Sequence, residues 1–257
     1  MFVDSHCHLN SPELASRIPD IRAAMAAAGV DRAMCICTTL DEFDAVHALA
    51  LAHDNFWCSV GVHPDEEDSR EPSVDGLVAL SAGPKVVAIG ETGLDYFRLA
   101  GRSVAQMEWQ RERFRVHIRA ARAVSKPLVI HTRSASEDTV RLLREEQGGD
   151  AGGVFHCFTE TAEVARAALD LGFHISFSGI LTFKNADDLR SVAAFVPLDR
   201  CLIETDSPYL APTPFRGKVN EPAYVPWVAK KLAEIKGLPL AKIAEATSEN
   251  FERLFLR

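Results

Sequence analysis

Long apolar runs and a basic leader segment are both missing from this sequence of 257 residues. No apolar run approaches the roughly 18 residues of a membrane-spanning helix. Residues 1–6 carry no basic region followed by an apolar stretch, so they do not have the pattern of a secretory signal peptide. We therefore expect a soluble monomer in the cytoplasm, with no contact to a membrane.

Net positive charge is also missing. The chain has 28 Lys and Arg residues against 36 Asp and Glu residues, which gives a formal net charge of −8. Proteins that coat nucleic acid through a broad surface have an excess of basic residues, so this class is excluded. A local positive site remains compatible with the overall charge.

Closely spaced cysteine pairs of the CxxC type are absent as well. The cysteines are scattered through apolar segments, which is typical of reduced core thiols in a cytosolic protein and not of a disulfide framework. They are Cys7, Cys35, Cys37, Cys58, Cys157 and Cys201.

The remaining composition is that of an ordinary globular protein, with 47% hydrophobic and 25% charged residues. A chain of this length buries roughly 73% of its unfolded surface, which allows a sizeable core. Because no linker, low-complexity tract or shift in composition divides the chain, we expect one domain over residues 1–257.

Eight short apolar runs rich in Val, Ile and Phe alternate with segments of helical period. Their mean spacing is about 28 residues, close to one strand, one helix and the loops between them. This α/β pattern predicts a (β/α)8 TIM barrel with extra C-terminal helices. A doubly wound open sheet is the alternative, because alternation alone does not prove closure. The runs are 2–9, 33–38, 56–62, 86–90, 128–130, 153–158, 174–178 and 201–205.

Helical segments fill the intervals, and two of them follow a capping-box pattern. Thr39 with Glu42, and Ser134 with Glu137, have the spacing at which each side chain satisfies the other residue's backbone N–H. The clearest helical segments are 21–28, 42–52, 104–124, 164–171, 186–196, 224–236 and 240–256.

The first strand contains a histidine pair of metal-ligand type. Residues two apart on a strand share a face, so His6 and His8 point the same way and Cys7 points oppositely. Alone, such a pair is also compatible with two hydrogen-bonded histidines that hold no ion.

Further residues of ligand type follow other predicted strands. Glu91 follows the fourth run, His131 the fifth and Asp206 the eighth, and His156 lies within the sixth. In a TIM barrel the carboxyl ends of all strands form one face, where active sites are built. We therefore expect these four side chains to converge with the histidine pair of the first strand.

Four imidazoles and two carboxylates exceed the needs of one tetrahedral ion and suit two divalent ions with a shared carboxylate. A pair of ions activates water and clamps the attacking and leaving oxygens of a phosphoryl or acyl transfer. Imidazole favours Zn²⁺, Mn²⁺ or Fe²⁺, whereas Mg²⁺ prefers oxygen ligands. Zn²⁺, Mn²⁺ and Mg²⁺ remain the candidate ions.

Eight ordered blocks between residues 4 and 222 together resemble the TatD family of metal-dependent deoxyribonucleases. Each block alone is weakly specific, whereas the ordered set is highly specific. The blocks are DSHCHL at 4–9, GVHP at 61–64, GETGLDY at 90–96, HTR at 131–133, FHCF at 155–158, SFSG at 176–179, ETDSPYL at 204–210 and RGKVNEP at 216–222.

The resemblance implies a TIM barrel of the metal-dependent hydrolase type with a two-metal site. It implies that His6, His8 and Asp206 hold one ion, that His131 and His156 hold the other, and that Glu91 bridges them. It also implies exonuclease activity that removes nucleotides from the three-prime end of single-stranded DNA. Some members of the family are linked to removal of D-amino acids from tRNA, so a D-aminoacyl-tRNA deacylase or another ester or amide hydrolase is the alternative.

We expect Asp206 and Glu91 to be the catalytic residues, with Asp206 orienting or deprotonating the attacking water. Two divalent ions and these two carboxylates leave about +2 at the site, which favours binding of a phosphodiester. The predicted substrate contacts are His63, Arg133, Arg216 and Lys218. Ser134 and Phe97 stand where many members of the family have Asp and Tyr, which puts local substrate preference in doubt.

Overall fold

Eight parallel strands form the centre of the molecule in a computed structural model that describes residues 1–256. Each strand pairs in parallel with the next along the chain, so the sheet order is β1 to β8. The strands are β1 Phe2–Cys7, β2 Val30–Cys35, β3 Phe56–Val60, β4 Val86–Asp95, β5 Leu128–Arg133, β6 Gly153–Phe155, β7 His174–Phe177 and β8 Cys201–Ile203.

The sheet closes where the segment after β8 meets β1. The N–H of Asp206 donates to the carbonyl of His6 at 2.9 Å, and the N–H of His8 donates to the carbonyl of Ser207 at 2.8 Å. Cys7 and Ser207 form a parallel bridge. The sequential order and this closure make a TIM barrel, as the alternation predicts, and they exclude the doubly wound alternative.

Helices surround the barrel. The first eight follow the eight strands in turn, and α9 is added after the eighth unit. In residues 1–256 the helices are α1 Ile18–Ala28, α2 Phe43–Ala52, α3 Val74–Ser81, α4 Glu108–Val124, α5 Ser136–Glu145, α6 Ala162–Asp170, α7 Asp187–Phe195, α8 Val225–Lys236 and α9 Leu240–Phe255. None of them is long and apolar enough to cross a bilayer.

The last helix covers the amino-terminal mouth of the barrel. Phe251 and Phe255 of α9 pack with Val3, Val129 and Leu202, which stand near the beginnings of their strands. Because burial of large apolar side chains is the dominant favourable term in folding, this contact fixes α9 against the barrel. The opposite mouth, at the carboxyl ends of the strands, stays open.

The two capping predictions have different outcomes. The N–H of Glu42 donates to Thr39 Oγ1, and the N–H of Thr39 donates to Glu42 Oε1, both at 3.2 Å, so the predicted reciprocal bonds form. They lie in the turn before α2, which begins at Phe43 with Glu42 as its N-cap. The prediction that Ser134 caps the following helix is wrong. Ser134 has a left-handed φ of +54°, the helix begins only at Ser136, and its N-cap, Ala135, makes no side-chain hydrogen bond.

The cysteines agree with the sequence analysis. All six are free thiols, and five of them are buried. The exception is Cys157, which is half-buried beside the open mouth of the barrel. No disulfide therefore contributes to the fold of residues 1–256.

Candidate metal centre

The predicted ligands of the first strand converge as expected. Nε2 of His6 lies 3.2 Å from Nε2 of His8, and the ring of His6 stacks on the ring of His156 with centroids 3.8 Å apart. Residues from β1 and from the segment after β6 therefore meet at the carboxyl ends of the strands. In this position three imidazoles face one small space.

Glu91 lies at the centre of the cluster, and its two oxygens face two sets of histidines. Oε2 lies 3.2 Å from Nε2 of His6 and 3.9 Å from Nε2 of His8. Oε1 lies 2.8 Å from Nε2 of His156 and 3.3 Å from Nδ1 of His131. Burial raises the pKa of Glu91, but the surrounding imidazoles outweigh burial and hold the pKa well below its usual value.

Asp206 completes the first set of side chains. Its Oδ1 lies 3.3 Å from Nε2 of His8 and 3.6 Å from Nε2 of His6. Burial raises the pKa of this carboxyl, but the hydrogen bond from His8 and the nearby imidazoles lower it overall. Asp206 is therefore ionised, and it lines the open cleft.

The donor chemistry of the cluster fits divalent ions. The buried Nε2 of His156 makes no hydrogen bond even though Glu91 Oε1 lies 2.8 Å away, and a buried nitrogen of this kind is unfavourable unless it binds an ion or a ligand. Three overlapping groups have ligand atoms within 4.8 Å of one another: His6, His156 and Asp206; His6, His8 and Glu91; and His63, Glu91 and His131.

A buried carboxylate behind His156 fixes the orientation of that ring. Glu204 Oε1 accepts the Nδ1–H of His156 at 3.2 Å and the backbone N–H of Cys157 at 2.8 Å. The bond directs Nε2 toward Glu91. Burial lowers the pKa of His156, but the carboxylates of Glu91 and Glu204 outweigh burial and hold the pKa well above its usual value. Carboxylates in this position are typical of metal-binding histidines.

Asp95 performs the same task for His131, a role that was not predicted from the sequence. Its Oδ2 lies 3.0 Å from Nε2 of His131, and its Oδ1 accepts the backbone N–H of Phe97 at 2.8 Å. The available signal was its spacing, because residues four apart on one strand, here Glu91 and Asp95, share a face. The strand β4 runs beyond the predicted 86–90 segment and includes both residues.

His63 was predicted as a substrate contact, and its ring lies directly beside the metal-ligand cluster. Its Nδ1 accepts the backbone N–H of Asp65 at 3.0 Å, so its Nε2 carries the proton and lies 3.4 Å from Glu91 Oε1. Burial lowers the pKa of His63 to about 3, which keeps the ring neutral. The ring thus presents an N–H donor to the cleft.

The cleft above the cluster has a volume of about 920 Å³. Arg133 and Arg98 line it, but Arg216 and Lys218 do not. The Arg216 guanidinium stacks 3.6 Å above the ring of Phe183 instead. Of the four predicted substrate contacts, the structure therefore places His63 and Arg133 in the cleft and the other two outside its lining.

Aromatic side chains near the cleft differ in exposure. Phe97 and Tyr209 are each 59% exposed, whereas Tyr96 is buried. The guanidinium of Arg133 lies 3.7 Å from the ring centroid of Phe97, and the ring of Tyr209 lies 6.3 Å from that of His8. Tyr209 therefore lines the cleft beside the ligand cluster, whereas Phe97 lies outside the cleft lining and contacts Arg133.

The comparisons with known proteins all point to one family. The profile of the family described as TatD related DNase matches residues 3–256. An uncharacterized metal-dependent hydrolase, YcfH of Escherichia coli (strain K12), is 48% identical over 257 residues, which cover 98% of this chain and 95% of the relative. The 3'-5' ssDNA/RNA exonuclease TatD of Escherichia fergusonii is 33% identical over 258 residues, which cover 98% of each chain.

A solved structure has the same architecture over the whole chain. The crystal structure of YJJV, a TatD homologue from Escherichia coli K12, superposes with a TM-score of 0.90 at 28% sequence identity. The match covers 100% of this chain and 98% of the other. The barrel and its added helix α9 thus belong to a known arrangement.

Proposed function

This chain belongs to the TatD family of metal-dependent hydrolases, and on that basis we propose that it is an exonuclease that hydrolyses phosphodiester bonds of single-stranded DNA. The observation that carries the proposal is the position of Glu91, whose two oxygens face separate sets of imidazoles. A carboxylate placed in this way suits a bridge between two ions. The similarity to a relative named as an ssDNA/RNA exonuclease supports the choice of substrate.

The ligand assignment follows from the two sides of Glu91. His6, His8 and Asp206 lie on the Oε2 side and would hold one ion. His131 and His156 lie on the Oε1 side and would hold the second. Divalent ions at such a site lower the pKa of water and neutralise negative charge on phosphoryl oxygens.

Asp206 is the residue we assign to proton transfer. It is ionised and lines the cleft, so its carboxylate can accept the proton of an attacking water. Glu204 and Asp95 hold the rings of His156 and His131 in one tautomer. The N–H that His63 presents to the cleft is suited to a phosphoryl oxygen of the substrate.

The substrate surface combines positive charge with aromatic faces. Arg133 and Arg98 supply cations at the cleft, and Phe97 and Tyr209 supply exposed rings. Unpaired bases stack on such rings, whereas bases in a duplex are already stacked. Arg216 and Lys218 would contact phosphates farther along a strand, outside the cleft lining.

The test is digestion of end-labelled single-stranded DNA by the metal-loaded protein, with products resolved over time and bound metal measured by elemental analysis. We expect about two ions per chain and a ladder that shortens from the three-prime end. Glu91→Gln and Asp206→Asn should lose most of the turnover and still fold, whereas Glu249→Gln, an exposed acid on α9, should keep it.

The outcomes separate the proposed activity from its alternative. Bound metal without DNA cleavage would reject the nuclease and favour the D-aminoacyl-tRNA deacylase or another ester or amide hydrolase. Rising salt should weaken DNA binding because phosphate contacts are screened. A salt-independent activity on a small ester or amide would contradict the nuclease proposal.

A further inference from the structure

A second cavity lies at the opposite end of the barrel from the metal centre. It has a volume of about 500 Å³ and is lined by segments that precede strands β4 to β8, together with the last turn of α9. None of the residues of the metal cluster lines it. The proposed function uses no part of this cavity.

Four cationic side chains line the cavity, against one acid. The cations are Lys85, Lys126, Arg200 and Arg253. The acid is Asp150, whose carboxylate already pairs with Arg122 at 3.0 Å. The ammonium of Lys85 donates to the carbonyls of Ala50 and His53, which do not line the cavity, so the positive charge at the cavity comes from the other three cations.

The cations are held in place by main-chain carbonyls and not by carboxylates. Lys126 Nζ donates to the carbonyls of Ser81 and Val86, and Arg200 donates to the carbonyl of Gly172 at 3.2 Å. Within residues 1–256, no Asp or Glu oxygen lies within 4.0 Å of the charged nitrogens of the four. Main-chain carbonyls therefore hold these cations in place, and no nearby carboxylate neutralises their charge.

A buried histidine in the same cavity lacks partners. His174 begins β7 and is only 4% exposed, and neither of its ring nitrogens has a hydrogen-bond partner in the part of the chain that the structure describes. Burial, together with Arg200 and Arg253, outweighs the opposing effects of the Gly153 backbone and the Asp199 carboxylate and lowers its pKa to about 4. The ring is therefore neutral at pH 7, and its N–H is available to an acceptor.

We propose that this cavity, which we term the lower cavity, binds a phosphate group through Arg200, Arg253 and His174. A tetrahedral anion offers several acceptor oxygens to the guanidinium groups and the ring N–H. The volume exceeds that of a free phosphate and accommodates a small phosphomonoester such as a nucleoside monophosphate. The lower cavity is thus an anion site separate from the catalytic cleft.

The test is calorimetric titration of the metal-loaded full chain at low ionic strength, with inorganic phosphate and, separately, with deoxyadenosine monophosphate. The informative variant is Arg200→Gln combined with Arg253→Gln. The matched control is Arg98→Gln combined with Arg133→Gln, which removes the same charge from the other cleft. We expect affinity for the anion to fall by more than about tenfold in the Arg200→Gln, Arg253→Gln variant. In the control we expect one binding event to keep the wild-type affinity.

Both ligand sources lead to defined results. Tighter binding of the nucleotide than of inorganic phosphate identifies a phosphomonoester, and equal binding identifies free phosphate. Equal affinity of the wild type and the Arg200→Gln, Arg253→Gln variant, or no binding by either, overturns the proposal.

A second measurement does not depend on how the variant folds. In the wild-type chain, the ring resonances of His174 in an NMR spectrum should shift during the phosphate titration. His117, which is buried elsewhere and has both ring nitrogens partnered, is the internal control and should not shift. No movement of the His174 signal at saturating phosphate overturns the proposal.

Discussion

Glu204 accepts the Nδ1–H of His156 through the same oxygen that accepts the backbone N–H of Cys157. Its carboxylate therefore fixes both the protonation of Nδ1 in the His156 ring and the backbone conformation next to that ring. Since Glu204 is buried and contributes no atom to the open cleft, it acts by positioning His156.

The first prediction concerns this positioning. Glu204→Gln keeps the size of the side chain but removes its charge, so metal affinity and turnover should fall about 10- to 100-fold. A metal titration of activity, together with a melting curve, measures both effects. Glu249→Gln is the exposed control. Excess metal should restore part of the activity of the Glu204→Gln variant. Turnover equal to wild type at limiting metal would show that Glu204 is only a packing residue.

The second prediction concerns the exposed rings beside the cleft. Tyr209→Ala and Phe97→Ala should each raise KM for a single-stranded oligonucleotide by about tenfold, because each removes a base-stacking face. Hydrolysis of bis(p-nitrophenyl) phosphate, which carries no base, should change little. Phe195→Ala removes an exposed ring outside the cleft and is the matched control. An unchanged KM for the oligonucleotide in both variants would contradict the stacking role.

The third prediction concerns stability at acidic pH. Burial lowers the pKa of His117 to about 4, whereas an unfolded histidine has its usual value of 6.5. Between these values the unfolded chain binds a proton that the folded chain does not, so the free energy of unfolding decreases as the pH falls. His117 alone should contribute a loss of about 3 kcal/mol between pH 6.5 and pH 4.

Urea unfolding at a series of pH values measures this loss. His117→Gln should be less stable at pH 7 because the Val62 N–H loses its imidazole acceptor, which lies 3.0 Å away. Its stability should also depend less steeply on pH. Parallel curves for the wild type and the variant would exclude His117 as the titrating group.

The fourth prediction concerns the close approach of β4 and β5. A Cβ added to Gly93 would lie 1.9 Å from the carbonyl oxygen of His131, and Gly93 has a φ of +135°. Gly93→Ala should lower the free energy of unfolding by more than about 2 kcal/mol and displace His131 from the metal cluster. Gly101→Ala is the matched control, since φ is also positive there but the space is open. Similar losses in both variants would show that φ alone, and not crowding, limits the position.

The ligand cluster was predictable because parallel barrels bring the carboxyl ends of distant strands together. Residues as separate as His6 and Asp206 could therefore be placed at one site from strand order alone. Asp95 was missed because the fourth apolar run ends at residue 90, whereas the strand continues through a polar segment.

Loop residues were less predictable than strand residues. Ser134 has the spacing of a capping residue, but the chain turns left-handed there and the helix begins two residues later. Arg216 follows the eighth strand, yet its guanidinium stacks on Phe183 and does not line the cleft. Such outcomes depend on loop conformation, which neither apolar period nor strand order specifies.

The bond between the Asp206 N–H and the His6 carbonyl joins the first strand of the barrel to the segment after the last. During synthesis on the ribosome, about 200 residues separate these two positions, which corresponds to roughly 10 to 40 seconds of translation. The first histidines thus leave the ribosome long before their carboxylate partner exists. A nascent chain cannot assemble the centre early, so an interrupted translation product carries no competent hydrolase.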